Sequence, residues 1–187
     1  KMRGLGGDHI TYKGVKKGLV VLVDFKDKKF ADGHDLEYYK QIINGKDFIA
    51  PTEGYVGSVR DYFLAQSNGQ FELDFDVVGT VTMSQNYGYY GRDGAYMDVN
   101  VYKMIKEACD GIKDQVNLAD YDWDGDGEAD QVFFLYAGLG QASGGHDSTI
   151  WPHESQLRYW PCGVLKYPTG KANTYACANE LQPATQG

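Results

Sequence analysis

The chain has 187 residues, 42% hydrophobic content and a net charge of −8, which suits one domain with a real core, at most with a small extension. Residues 120–130 hold six acids and no base, so the remainder carries 20 acids against 18 bases, and most of the imbalance is one short segment. No basic stripe exists to meet a polyanion, which excludes a nucleic-acid footprint, and no apolar run approaches the ~18 residues of a membrane span.

In chain order, Lys13, Lys16 and Lys17 read as a solvated lead-in to the aliphatic run Gly18–Phe25, whose lack of polar alternation predicts a strand buried on both faces. Asp35 predicts a helix cap, with the helix running to about Ile43. Ser58 and Asp61 form a capping-box pattern opening a helix to about Ser67, with Val59, Tyr62 and Phe63 expected to face inward and Asn68-Gly69 to end it. Residues 70–83 alternate, with Phe71, Leu73, Phe75 and Val77 opposite Glu72, Asp74 and Asp76, which predicts a half-exposed strand that turns into a second one at Gly79. A Tyr- and Gly-rich loop fills 84–94. Met97, Val101, Met104, Ile105, Ala108 and Ile112 then recur at helical spacing and predict a helix over 95–114. Strand 131–137 follows, and 138–187 reads as loops with short strand-like pieces such as Gly163–Tyr167. The order predicts an α/β (α+β) domain, a mixed twisted sheet with helices packed on it.

Between the last helix and strand 131–137 lies Asp122-Trp-Asp-Gly-Asp-Gly-Glu-Ala-Asp130. Calcium is a hard cation taking six to eight oxygens, and loops that bind it supply them from positions 1, 3, 5, 7 and 9. Those positions are Asp122, Asp124, Asp126, Glu128 and Asp130, with position 7 donating its carbonyl, so the Glu128 side chain is not required. Gly127 occupies the sharp-turn position 6. Position 12 is Phe133 rather than the bidentate Glu of an EF-hand, so the loop runs into a strand. The plainer reading is a solvated acidic turn. Against it, two carboxylates about 5 Å apart at an effective dielectric of about 20 repel by about 3 kcal/mol. Calcium here is expected to be structural and points to an extracytoplasmic protein, where the ion is abundant. The opening Lys1-Met2-Arg3 reads as a trimmed or processed end. Of three cysteines, Cys162 and Cys177 share one loop-rich region and are available to pair, whereas Cys109 falls on the apolar face of a helix as a free thiol.

Catalytic patterns largely fail. Trp151-Pro-His-Glu154 starts like H-E-x-x-H, but the residue four after His153 is Leu157 and Pro152 suits a turn. Ser143, His146, Asp147 and Ser148 are triad residue types in one loop, yet triads assemble in space, and Gln141 stands where G-x-S-x-G needs its first Gly. Gly138-Leu-Gly140 lacks the rest of a dinucleotide fingerprint.

Taken together, Gly18–Phe25, Ser58–Phe71, Tyr121–Gly138 and Ile150-Trp-Pro-His153 resemble immune inhibitor A-type secreted metallopeptidases, in order, over about residues 16–180. The resemblance implies a zinc endopeptidase with a zincin-like fold, calcium held at Asp122, Asp124, Asp126, Glu128 (carbonyl) and Asp130, and protein or peptide substrates. It also implies an H-E-x-x-H helix after Asn179-Glu180-Leu181, whereas this sequence stops at Gly187 without one. The 187 residues are therefore expected to form a single partial catalytic domain without catalytic residues of their own. Zinc is expected only in the full-length parent, and a sheet face lacking that helix is expected to self-associate. The alternatives are a non-catalytic extracellular calcium-binding module for protein or glycan and, more weakly, a hydrolase using His146 or His153 with a nearby Ser.

Overall fold

The computed structural model describes residues 12–50, 54, 56–94, 98–130 and 132–182. Its chain order is β1 (Gly14–Asp24), α1 (Leu36–Asn44), α2 (Val59–Gln66), β2 (Phe71–Thr82), α3 (Tyr87–Tyr90), α4 (Val101–Ile112), β3 (Val132–Leu139), β4 (His153–Gln156), β5 (Leu165–Tyr167), β6 (Gly170–Ala172) and β7 (Thr174–Leu181). Five strands form one mixed sheet in the order β2-β1-β3-β7-β4, while β5 and β6 pair separately. The first four are mutually parallel, and β4 runs antiparallel at the edge beside β7.

Parallel sheets need cover on both faces, and β1 shows how the sequence supplies it. Leu19, Val21 and Val23 join a core with Val132, Phe134 and Tyr136 of β3 and with Met104, Ile105, Ala108 and Ile112 of α4. Val20 and Leu22 point the other way, into a second core with Phe71, Leu73, Phe75 and Val77 of β2 and Tyr39 and Ile43 of α1. Burying about 25 cal/mol per Å² of apolar surface on each face is the main stabilising term. Both aliphatic runs are central, as expected.

The caps are where the sequence puts them. The Asp35 side chain accepts from Tyr38 N, and Ser58 and Asp61 close a reciprocal capping box. The inward face of α2 differs from expectation: Val59 and Tyr62 are exposed, and of the three only Phe63 packs on the second core. An eight-residue helix beside an edge strand has room to bury one such side chain. Gly79 starts no second strand; β2 continues through it, with two residues looped out opposite Leu22. Gly79 has φ +115° and a Cβ there would lie 2.7 Å from Leu22 O, so only glycine fits the bulge. The long helix also begins later than the apolar spacing suggested. Asp98 takes a left-handed φ of +52° and Asn100 precedes the first helical residue, Val101; Met97 and Gln131 lie outside the described residues. The C-terminal region holds more strand than expected, because β7 is a full interior strand with polar residues interspersed along it.

The outer edge of β2 is capped by side chains. Phe71 N donates to Ser67 Oγ at 2.9 Å, and Ser67 Oγ donates to Phe71 O at 3.1 Å. Asn44 likewise accepts from Phe75 N at 3.0 Å and donates to Phe75 O at 2.6 Å. Edge amides satisfied in this way are poor templates for another strand.

Candidate metal site

The acidic segment follows a 3-10 turn, Leu118–Tyr121, and delivers the chain into β3. Its carboxylates organise the backbone first. Asp122 accepts from Gly125 N and Gly127 N, both at 2.8 Å; Asp124 accepts from Asp126 N at 3.2 Å, and Asp126 from Glu128 N at 2.8 Å. Asp130 accepts from Trp123 N at 2.6 Å, and its own N–H donates to Tyr121 O at 2.9 Å. Gly127 sits at φ +80°, as its turn position requires. Strand β6 clamps the far side: Ala129 N donates to Lys171 O and Lys171 N to Gly127 O.

These turns bring donor oxygens of Asp122, Asp124 and Asp130 within 4.8 Å of one another. Three carboxylate oxygens this close could hold a hard cation such as calcium, whose oxygen ligands sit about 2.4 Å from the ion. Asp126 stands outside that trio. The Glu128 Oε2 is engaged elsewhere, accepting from Arg158 Nη2 and Asn173 Nδ2, each at 2.9 Å, and Glu128 too stands outside the trio.

Zinc prefers nitrogen and sulfur donors in a tetrahedral set, and the described residues do not fit it. The trio of aspartates is the only convergent group of three or more His, Cys, Asp or Glu among them. The described histidines are separately engaged. His34 Nδ1 meets Glu180 Oε1 at 2.6 Å. His146 Nδ1 accepts from Ser148 N at 3.1 Å, with Ser148 Oγ 2.9 Å away, in an exposed turn. His153 Nδ1 lies 2.7 Å from Trp151 O, which can only accept, so Nδ1 carries the proton and Nε2 accepts from the Tyr175 hydroxyl at 2.9 Å. Burial pushes the His153 pKa below its ordinary value. His153 therefore ties β4 to β7 rather than serving as a base.

All three cysteines are free thiols, so Cys162 and Cys177 do not pair. Cys177 Sγ lies 3.6 Å from His153 Nδ1, yet burial pushes its pKa up to about 12, which leaves no thiolate for nucleophilic work. Ser143 Oγ donates to Gln182 Oε1 and accepts from Asn179 Nδ2.

Sequence reasoning missed Glu180. Its carboxylate collects Ala31 N, Gly138 N and His34 where β1, β3 and β7 end, fastening three connections. A lone acid at the end of an unrecognised strand gives no one-dimensional signal.

The fold and loop define a mixed α/β domain carrying an oxygen-rich acidic turn at the entry to a central strand. The family profile described as "Immune inhibitor A peptidase M6, catalytic domain" matches residues 9–176, and the chain belongs to that metallopeptidase family. It is 26% identical over 182 aligned residues to the pre-pro-metalloprotease PrtV of Vibrio cholerae serotype O1, covering 79% of this chain and 20% of that protein. It is 28% identical over 171 residues to immune inhibitor A of Bacillus thuringiensis subsp. alesti, covering 73% and 25%. The chain thus spans a quarter or less of these relatives. Among the described residues no helix is long and apolar enough to cross a membrane.

Proposed function

We propose that this chain is part of a secreted, calcium-stabilised zinc metalloendopeptidase that hydrolyses peptide bonds in proteins. The reading rests on the catalytic-domain match along residues 9–176. It places the zincin-like N-terminal subdomain here and the zinc-holding helix in the remainder of the parent. The chain's contribution is then scaffold: a covered parallel sheet, and an edge strand β4 held in position by His153.

Calcium belongs to the same reading, with Asp122, Asp124, Asp126 and Asp130 contributing carboxylates and Glu128 its carbonyl. The engagement of Glu128 Oε2 by Arg158 and Asn173 supports that division of roles. Structural calcium would hold the loop against acid repulsion and fix the start of β3. The precursor designation of the Vibrio relative supports secretion. The test is to express the parent protein and assay hydrolysis of casein. Activity that a zinc chelator abolishes and zinc restores supports the reading; a parent with no peptidase activity under any metal supplementation overturns it.

One observation favours a second reading, a non-catalytic calcium-binding module for protein or glycan. The described histidines do not converge. The parent sequence separates the two, because the module reading requires that no H-E-x-x-H follow the segment matched here.

A further inference from the structure

Strand β2 has a neighbour on one side only. Gly14 pairs with Phe71 and donates to Gln70 O. In this parallel ladder Glu72, Asp74 and Asp76 therefore bond β1, while Phe71, Leu73, Phe75 and Val77 aim their backbone groups outward. Ser67 occupies both groups of Phe71, and Asn44 both groups of Phe75. Leu73 and Val77 have no backbone hydrogen-bond partner on that side among the described residues. Val77 is only 6% exposed, so its N–H and C=O lack the ready access to water of an ordinary edge residue.

Val77, unlike Leu73, lines a cleft of about 500 Å³, within the range of ligand sites. Lys40 and Gln41 of α1 form one wall, and Asn117 and Asp120, beyond α4, form another. These walls belong to opposite faces of the sheet, since Val77 packs in the core that α1 covers and Val78 against the core that α4 covers. The cleft therefore straddles the edge of β2, in the place a further strand would take. Its charges do not cancel. Asp76 is paired with Lys17 at 2.9 Å, and Lys40 lies 4.0 Å from Glu37. Asp120 accepts from the Asn117 amide at 3.0 Å and pairs with no cation among the described residues.

We propose that this cleft receives a short extended peptide segment carrying a lysine or arginine, which pairs through its main chain with the N–H and C=O of Val77 and sets its basic side chain against Asp120. An extended main chain offers both a donor and an acceptor, which is how a peptide adds to an open sheet edge. Asn44 already occupies Phe75, so the pairing is confined to the Val77 end of the strand and suits a short segment. A second copy of this chain is the poorer occupant, because both β2 edges would be recessed between their own walls.

Nuclear magnetic resonance on the isotope-labelled 187-residue chain tests this with three end-blocked pentapeptides. They are Thr-Val-Lys-Val-Thr, its counterpart Thr-Val-Glu-Val-Thr, and the lysine peptide N-methylated at both valines. The lysine peptide should shift the Val77 amide saturably, and the other two should bind more weakly by about threefold or more. Asp120→Asn should weaken the lysine peptide by a similar factor, and Gln41→Trp, which fills the cleft from α1, should abolish the shift. Both positions are exposed, so the variants leave the core untouched. No saturable shift at Val77, or an equal response to all three peptides, overturns the proposal and assigns the Val77 groups to water. Binding that neither variant alters places the peptide elsewhere and overturns it as well. Shifts at Val77 that grow with protein concentration alone overturn it in favour of a second copy.

Discussion

Trp123 Nε1 donates a hydrogen bond to Lys17 O at 2.7 Å, joining the second residue of the acidic loop to the first half of β1, 106 positions away. The same ring meets Phe71 edge-on at 6.2 Å, so the loop is pinned to β1 and β2 together. Trp123→Phe should keep most of the ring packing but lose the donor. We expect a loss of about 1 kcal/mol in denaturant unfolding, and a larger loss in chelator than in calcium, since the ion and the indole restrain the same loop.

Calcium removal should lower the melting temperature. Free calcium at a hundredfold excess over Kd adds about 2.7 kcal/mol to stability. Differential scanning calorimetry with and without chelator checks this, and Asp124→Ala should blunt the response strongly. Superimposable curves would exclude calcium from the acidic loop.

This chain alone should hold no stoichiometric zinc and should leave casein intact, because His34, His146 and His153 are engaged separately. Elemental analysis after dialysis measures it. One zinc per chain, lost in His153→Ala, would contradict the arrangement around β4.

The stability contributed by His153 should depend on pH. Burial lowers its folded-state pKa beneath the unfolded value, with the Trp151 carbonyl opposing only in part. Above about pH 6.5 the imidazole is neutral in both states and the contribution is complete. As pH falls below that, the unfolded chain takes up the proton first, so stability drops until the folded pKa is passed. Urea midpoints compared between pH 7.5 and pH 5.5 should fall more for the wild type than for His153→Gln.

Asn44 holds both backbone polar groups of Phe75 on the outer edge of β2. Asn44→Ala should cost about 1–3 kcal/mol for the freed, partly buried groups. It should also raise concentration-dependent association, read by sedimentation velocity, because an uncapped edge is a template for another strand. Unchanged sedimentation would show that Ser67 and the neighbouring helices protect the edge without it.

What the sequence alone determined is what short-range chemistry controls. The aliphatic runs of β1 and β3 had no polar face, so both had to be central. The caps at Asp35 and Ser58 and the glycine-spaced carboxylates of 122–130 follow from hydrogen bonds a few residues apart. The rest depended on distant partners. Whether Tyr62 faced in was settled by how little sheet α2 covers, and β7 was hidden because its alternating small and polar residues acquire meaning only between β3 and β4. The left-handed turn at Asp98 interrupts a spacing that otherwise reads as helix, and the Asp98 carboxylate finds its donor, Trp151 N, only through a contact 53 positions away. Burial and convergence across more than forty residues are properties of packing, and no local pattern encodes them.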